Sequence, residues 1–205
     1  MAHSFGLETL AFDGDIESGV ESCPASLARY VEDQLEESLL LDGVFCREAH
    51  ARAINGSAVH DLNRELSAFR LARESREASM ALGRRFAALA ARLHPGPALS
   101  SLESLEELHH AIAFGYVFGV LAIDPDLTVS AFLHQSVLNI ISAAQRLLPL
   151  GQTQANRIAW NLKPAILNSA AQTRSASFSA VCAFAHVPEM ASMRHCSLPT
   201  RLFIS

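Results

Sequence analysis

Lysine is nearly missing from this chain: Lys and Arg together number 16, and Lys163 is the sole lysine. It follows Leu162 rather than glycine, so no G-x-x-x-x-G-K-[ST] loop exists and the chain is excluded as a P-loop nucleotidase. Schiff-base chemistry is left with one lysine that nothing around it recommends. Aromatics are scarce, at 7%, and no segment alternates in the Val/Ile/Thr manner of a strand, which leaves helices as the default element. Positive charge is not in excess either. A net charge of -5 and a pI near 6.0 remove the footprint of a protein that neutralises phosphates, so nucleic acid is not expected as a partner. The cysteines Cys23, Cys46, Cys182 and Cys196 form no C-x-x-C pair, and the chain opens without a basic stretch leading into an apolar one, which predicts a cytoplasmic protein with reduced thiols. The most apolar run, 111–123, is short of the ~20 residues that span a bilayer and contains Gly115 and Gly119, so it reads as a buried helix and no membrane is expected. The nucleophile-elbow, H-E-x-x-H and EF-hand signatures are absent, and no cofactor is called for.

What is present is apolar residues in three-to-four steps from end to end. Half of the 205 residues are hydrophobic, enough for one large core. Leu27, Val31, Leu35 and Leu39 predict a helix over 26–41 with Ser26 as its cap, and Asp42 is placed to cap the next segment, which stops at Asn55-Gly56. Ser57 opens the longest predicted helix, to Leu93, with Val59, Leu62, Leu66 and Phe69, then Leu82, Phe86, Leu89 and Leu93 on its apolar face. His94-Pro95-Gly96-Pro97 ends it and forms the best loop. Further helices are expected over 102–123, over 127–148 with Leu133, Val137, Ile140, Ala144 and Leu147 inward, and over 154–170 with a kink or break at Pro164. The expectation is an all-α, single helical-bundle-like domain of about eight helices over 1–187, followed by a short C-terminal tail over 188–205.

Several constellations could carry chemistry. Arg70, Arg73, Glu74, Arg76 and Glu77 interrupt the apolar stripe between Phe69 and Leu82, consistent with a solvated face of ion pairs, an interface or a buried polar network. Glu106-x-x-His109 overlaps Glu107-x-x-His110, but a carboxylate-bridged di-metal site needs a second such motif on another helix and the sequence has none. The acids are expected in the first turns of a helix, where the macrodipole favours them. Cys46-x-x-x-His50 and the soft donors Met190, Met193, His195 and Cys196 are pairs, not complete ligand sets. Gly115-x-x-x-Gly119 lets another backbone approach closely within the core.

Three blocks in order resemble the UreF family of urease accessory proteins. They are Ala2-His3-Ser4-Phe5-Gly6-Leu7-Glu8; the stretch from Asp61-Leu62-Asn63 through Arg73-Glu74-Ser75-Arg76-Glu77 to Leu82-Gly83-Arg84, with Phe114-Gly115; and the stretch from Ala143-Ala144 through Pro149-Leu150-Gly151-Gln152 to Met193-Arg194-His195 and Arg201-Leu202-Phe203. The resemblance implies an all-helical, non-catalytic, homodimeric chaperone that, with UreD (also called UreH), recruits the GTPase UreG to the urease apoprotein so that nickel reaches its active site. It also implies partner-binding roles for His3, Phe5, Glu8, Arg73, Arg76, Glu77, Gln152, His195, Arg201, Leu202 and Phe203. Family members carry a further segment before the His3–Gly6 block, which here would precede Met1; without it an apolar groove is expected to lie exposed. Cys196 and Ile204 replace a usual glutamate and a frequent arginine, changes that bear on partner recruitment and not on the fold. Two other classes stay open. A helical DNA-binding regulator would use the arginine-rich stretch from Arg64 to Arg85, and a metal-dependent helical enzyme would need a ligand set that the sequence does not complete.

Overall fold

The computed structural model describes residues 6–176 and 186–194, and all regular structure among them is helical. In chain order the helices are α1 (Leu7–Asp13), α2 (Cys23–Glu36), α3 (Ser38–Ile54), α4 (His60–Phe69), α5 (Arg73–Leu93), α6 (Pro97–Glu103), α7 (His110–Val120), α8 (Pro125–Leu147), α9 (Gln152–Asn161), α10 (Lys163–Gln172) and α11 (His186–Arg194). Among the described residues the number exceeds the eight expected because three predicted segments are each divided. The predicted 57–93 helix breaks at Arg70, whose backbone is extended with ψ 91°, and the predicted 102–123 helix gives way to α6 and α7, joined by a stretch that holds Glu106 and Glu107. Those acids therefore precede α7 and are not in its first turn. Pro164 starts a new helix as expected, since a proline is tolerated in the first turn, where its missing N–H costs nothing. The position 187/188 that divides bundle from tail falls within α11.

The centre is the packing of α3 against α7, closed over by α8. Gly115 and Gly119 make it possible: a Cβ on Gly115 would stand 1.9 Å from the Cys46 carbonyl oxygen, and one on Gly119 2.6 Å from that of His50. With no side-chain layer between them, the two backbones touch. The buried His50 ring lies 2.7 Å from the Ile123 carbonyl, which can only accept, so Nε2 carries the proton and donates. That bond fixes the turn after α7, where Ala122 adopts a left-handed φ of 54° while the Ala122 and Ile123 amides donate back to Gly119 and Phe118. Asp124 then caps α8, accepting from the Asp126 and Leu127 amides at 2.9 Å each.

Leu27, Val31, Leu35 and Leu39 are buried as their spacing predicts, as are Leu133, Val137, Ile140 and Ala144 on α8. The predicted helix boundary between Leu41 and Asp42 shifts: α2 ends at Glu36, Ser26 lies inside it, and Asp42 sits within α3. The outer half of α5 departs further. Leu89 and Leu93 are 54% and 76% exposed, and the residues α5 turns inward are Ala78, Ser79, Gly83 and Ala87. The reason is again distance, because a Cβ on Gly83 would meet the Leu108 carbonyl oxygen at 2.0 Å, and only small side chains fit so close a crossing. By length and composition α8, not the 111–123 run, is the helix capable of crossing a membrane, with a mean hydropathy of 1.3 and half of that window buried inside the bundle.

Two ion pairs hold the later part of the chain to the bundle. Asp126 accepts from Arg47 at 2.7 Å and from the Arg174 Nε and Nη2 at 3.0 and 2.7 Å, and bonds from both guanidiniums draw its carboxyl down to about 2. Arg194 of α11 pairs with Asp13 of α1 at 2.9 Å.

Candidate partner-binding site

The break between α4 and α5 is built around Arg70. A helix interior has no place for a lone carboxylate, yet Asp42 lies in the apolar run of α3, with its side chain 11% exposed. Arg70 answers it: its Nη2 donates to both carboxylate oxygens at 2.6 Å and its Nη1 to Ser75 at 3.2 Å. Burial pushes the Asp42 carboxyl above the ordinary carboxylate range, and the Arg70 guanidinium offsets only part of that rise. To reach inward, Arg70 leaves helical geometry, and its freed carbonyl accepts from the Arg76 Nη1 at 3.0 Å. Arg73 and Glu77 then point outward as a 3.3 Å pair, 77% and 58% exposed.

Next to this junction lies a buried polar hub. The fully buried His109 has Nε2 2.9 Å from the Ser67 hydroxyl and Nδ1 3.1 Å from that of Ser79, while its backbone amide donates to Asn63 Oδ1 at 2.8 Å. Burial, then the charges of Arg70 and Arg76, drive the imidazole down to about 3, so it is neutral and donates to one serine while accepting from the other. His110 faces the rings of Phe86, Phe114 and Phe132 at 5.6 to 6.1 Å, and burial followed by the Arg70 charge brings it down to about 4. The two histidines of the overlapping Glu-x-x-His pairs are thus turned into the protein while Glu106 and Glu107 are exposed. Among the described residues no group of three or more His, Cys, Asp and Glu could hold a metal ion. Cys46 is buried against the α7 backbone, which raises its thiol well above the ordinary range.

Of the residues assigned to partner binding, Arg73, Arg76 and Glu77 share the start of α5, with Arg76 half-buried. Gln152 is exposed at the start of α9, accepting from Gln145 and donating to Asn156 at 3.1 Å each. Glu8 is buried in α1, beneath the surface rather than on it. His3, Phe5, His195, Arg201, Leu202 and Phe203 lie outside the described residues. Sequence reasoning missed the Asp42–Arg70 pair by taking Asp42 for a cap. The signal was there: an acid flanked by Leu39, Leu40, Leu41 and Val44 has to find a cation.

The described residues thus define an all-helical bundle whose polar groups serve helix junctions and an exposed arginine-glutamate face. Comparison with known proteins makes this specific. The model of the UreF family matches residues 22–163. Urease accessory protein UreF of Lachnoclostridium phytofermentans is 33% identical over 100% of this chain and 91% of its own length. The UreF proteins of Geobacillus kaustophilus and of a Bradyrhizobium strain are 30% and 31% identical, again over 100% of this chain and over 90% and 85% of their own lengths. The chain belongs to the UreF family of urease accessory proteins.

Proposed function

We propose that this protein is a non-catalytic, cytoplasmic scaffold that works as a homodimer. With UreD/UreH it recruits the GTPase UreG to the urease apoprotein, so that nickel is inserted as cargo into the urease site. The observation that carries the reading is kinship over the full length of the chain with proteins named urease accessory protein UreF. The exposed Arg73 and Glu77 supply a surface suited to it, because planar guanidiniums make bidentate contacts with carboxylates across interfaces. His3, Phe5, Glu8, Arg76, Gln152 and the segment 188–205, with His195, Arg201, Leu202 and Phe203, complete the proposed partner-binding set. Deleting the gene in a urease-positive host and measuring nickel per purified urease tests the reading. Urease is expected to be assembled but nickel-poor, and full occupancy at ordinary medium nickel would overturn it.

A further inference from the structure

On the side of the bundle formed by α2 and α9, the two helices flank a groove of about 430 Å³. Ala25, Ala28, Ile158 and Leu162 give it an apolar floor; Glu21 and Glu32 stand on the α2 side and Arg157 on the α9 side. These three charged residues are exposed, and among the described residues no side-chain hydrogen bond or ion pair engages them. Negative charge continues along α2 through Asp33 and Glu36, with Arg29 its one base. Small alanines let another backbone come close, and free carboxylates along one flank select a cationic neighbour.

We propose that the α2–α9 groove docks a basic amphipathic helix of another protein in the urease-maturation assembly, an inference that rests on the function proposed above. The docked helix places small apolar residues on the alanine floor, Arg or Lys toward Glu21 and Glu32, and an acceptor toward Arg157. The chain itself contains a face of this type: Leu82, Leu89 and Leu93 on α5, flanked by Arg85 and Arg92. A second copy offering that stripe is the alternative occupant that the test below separates from another protein. α5 packs on α6, α7 and α11, whereas α2 packs on α3, α8, α9 and α10, so the stripe and the groove are on different sides of the bundle. A stripe-to-groove contact between copies would be reciprocal about a two-fold axis or run head to tail, and crosslinking distinguishes either from docking of a separate protein. The acidic wall likewise repels phosphate backbones and anionic lipid.

The test uses the full-length chain with the purified remaining accessory proteins and urease apoprotein of the same host. A photo-crosslinking residue at Ala28 is expected to join a segment with at least two Arg or Lys on one helical face. Glu21→Arg combined with Glu32→Arg is expected to weaken capture at least tenfold at low salt with unchanged helicity, and reversing the crosslinked bases to Glu restores it. Ala28→Phe, which fills the floor without altering charge, gives a comparable loss. Undiminished capture by the double reversal and by Ala28→Phe overturns the groove and leaves the urease role standing. Crosslinks to a second copy of the chain, or to an uncharged or acidic segment, also overturn it. A wild-type chain that captures none of these proteins removes the urease role, and the groove proposal with it.

Discussion

The α3–α7 crossing and the α4–α5 junction solve opposite problems. At the crossing, Gly115 and Gly119 remove side chains so that two backbones meet, and the buried His50 is accommodated by its bond to the Ile123 carbonyl without interrupting either helix. At the junction a carboxylate is already buried on α3, so a helix is interrupted to deliver Arg70 to it, and Asn63, Ser67, Ser79 and His109 fill the surrounding space with mutually satisfied polar groups. The first arrangement is intolerant of volume, the second of charge.

The comparison breaks most sharply at Gly115. Gly115→Ala puts a methyl within 1.9 Å of a carbonyl oxygen that belongs to rigid helix, so the helices have to separate. A loss of about 3 kcal/mol or more is expected in urea unfolding, at the upper end of ordinary overpacking. A substitution of the same size elsewhere on α7 that leaves stability unchanged is the natural control.

At the junction, Asp42→Ala strands Arg70 and is expected to cost about 3 kcal/mol, whereas Asp42→Leu with Arg70→Met, which removes both charges, is expected to recover most of that loss. A double variant as unstable as the single one would show that shape, not charge, governs the junction.

Acid distinguishes the two regions as well. His109 and His110 bind protons less readily folded than unfolded, so the unfolded chain holds more protons between their folded values of about 3 and 4 and the ordinary imidazole value. Stability therefore rises with pH across that window and falls as pH drops below about 6.5. His110→Phe, which extends the ring cluster with Phe86, Phe114 and Phe132, is expected to reduce the loss between pH 7 and pH 4 by on the order of 2 kcal/mol. Melting curves of wild type and variant that fall in parallel with pH would refute this.

The smallest effect is a gain. Ala122 holds a left-handed conformation that glycine adopts freely, so Ala122→Gly is expected to add about 1 kcal/mol, the reverse of what adding a methyl does at Gly115. A lower melting temperature for Ala122→Gly would show that its methyl packs usefully.

Much of the crossing was legible in sequence, since a G-x-x-x-G pair inside an apolar run announces close approach and the i, i+4 leucines of α2 and α8 mark their inner faces. The junction was legible only in part: its arginines break the apolar stripe and admitted a buried polar network, but Arg70, Leu71 and Ala72 are acceptable helix residues, and only Asp42, far off in sequence, explains why the helix itself stops. The same limit hid the inner face of α5. Its leucines recur at helical spacing, but the close crossing at Gly83 selects Ala78, Ser79 and Ala87 for the core instead. Among the site residues, Arg73 and Glu77 are exposed and Glu8 is buried, and neither exposure could be read from membership in a family block.

The ion pairs of Arg174 with Asp126 and Arg194 with Asp13 close the intervening chain at both ends, like two stitches in cloth. Loop-closure entropy varies only slowly with length, about 0.6 kcal/mol for each doubling, so shifting either stitch by a few residues would change the closure cost little. The Arg194 stitch adds to the packing of α11 on α1 and α5, where Ala191 is buried, so this helix is held by apolar contact as well as by charge.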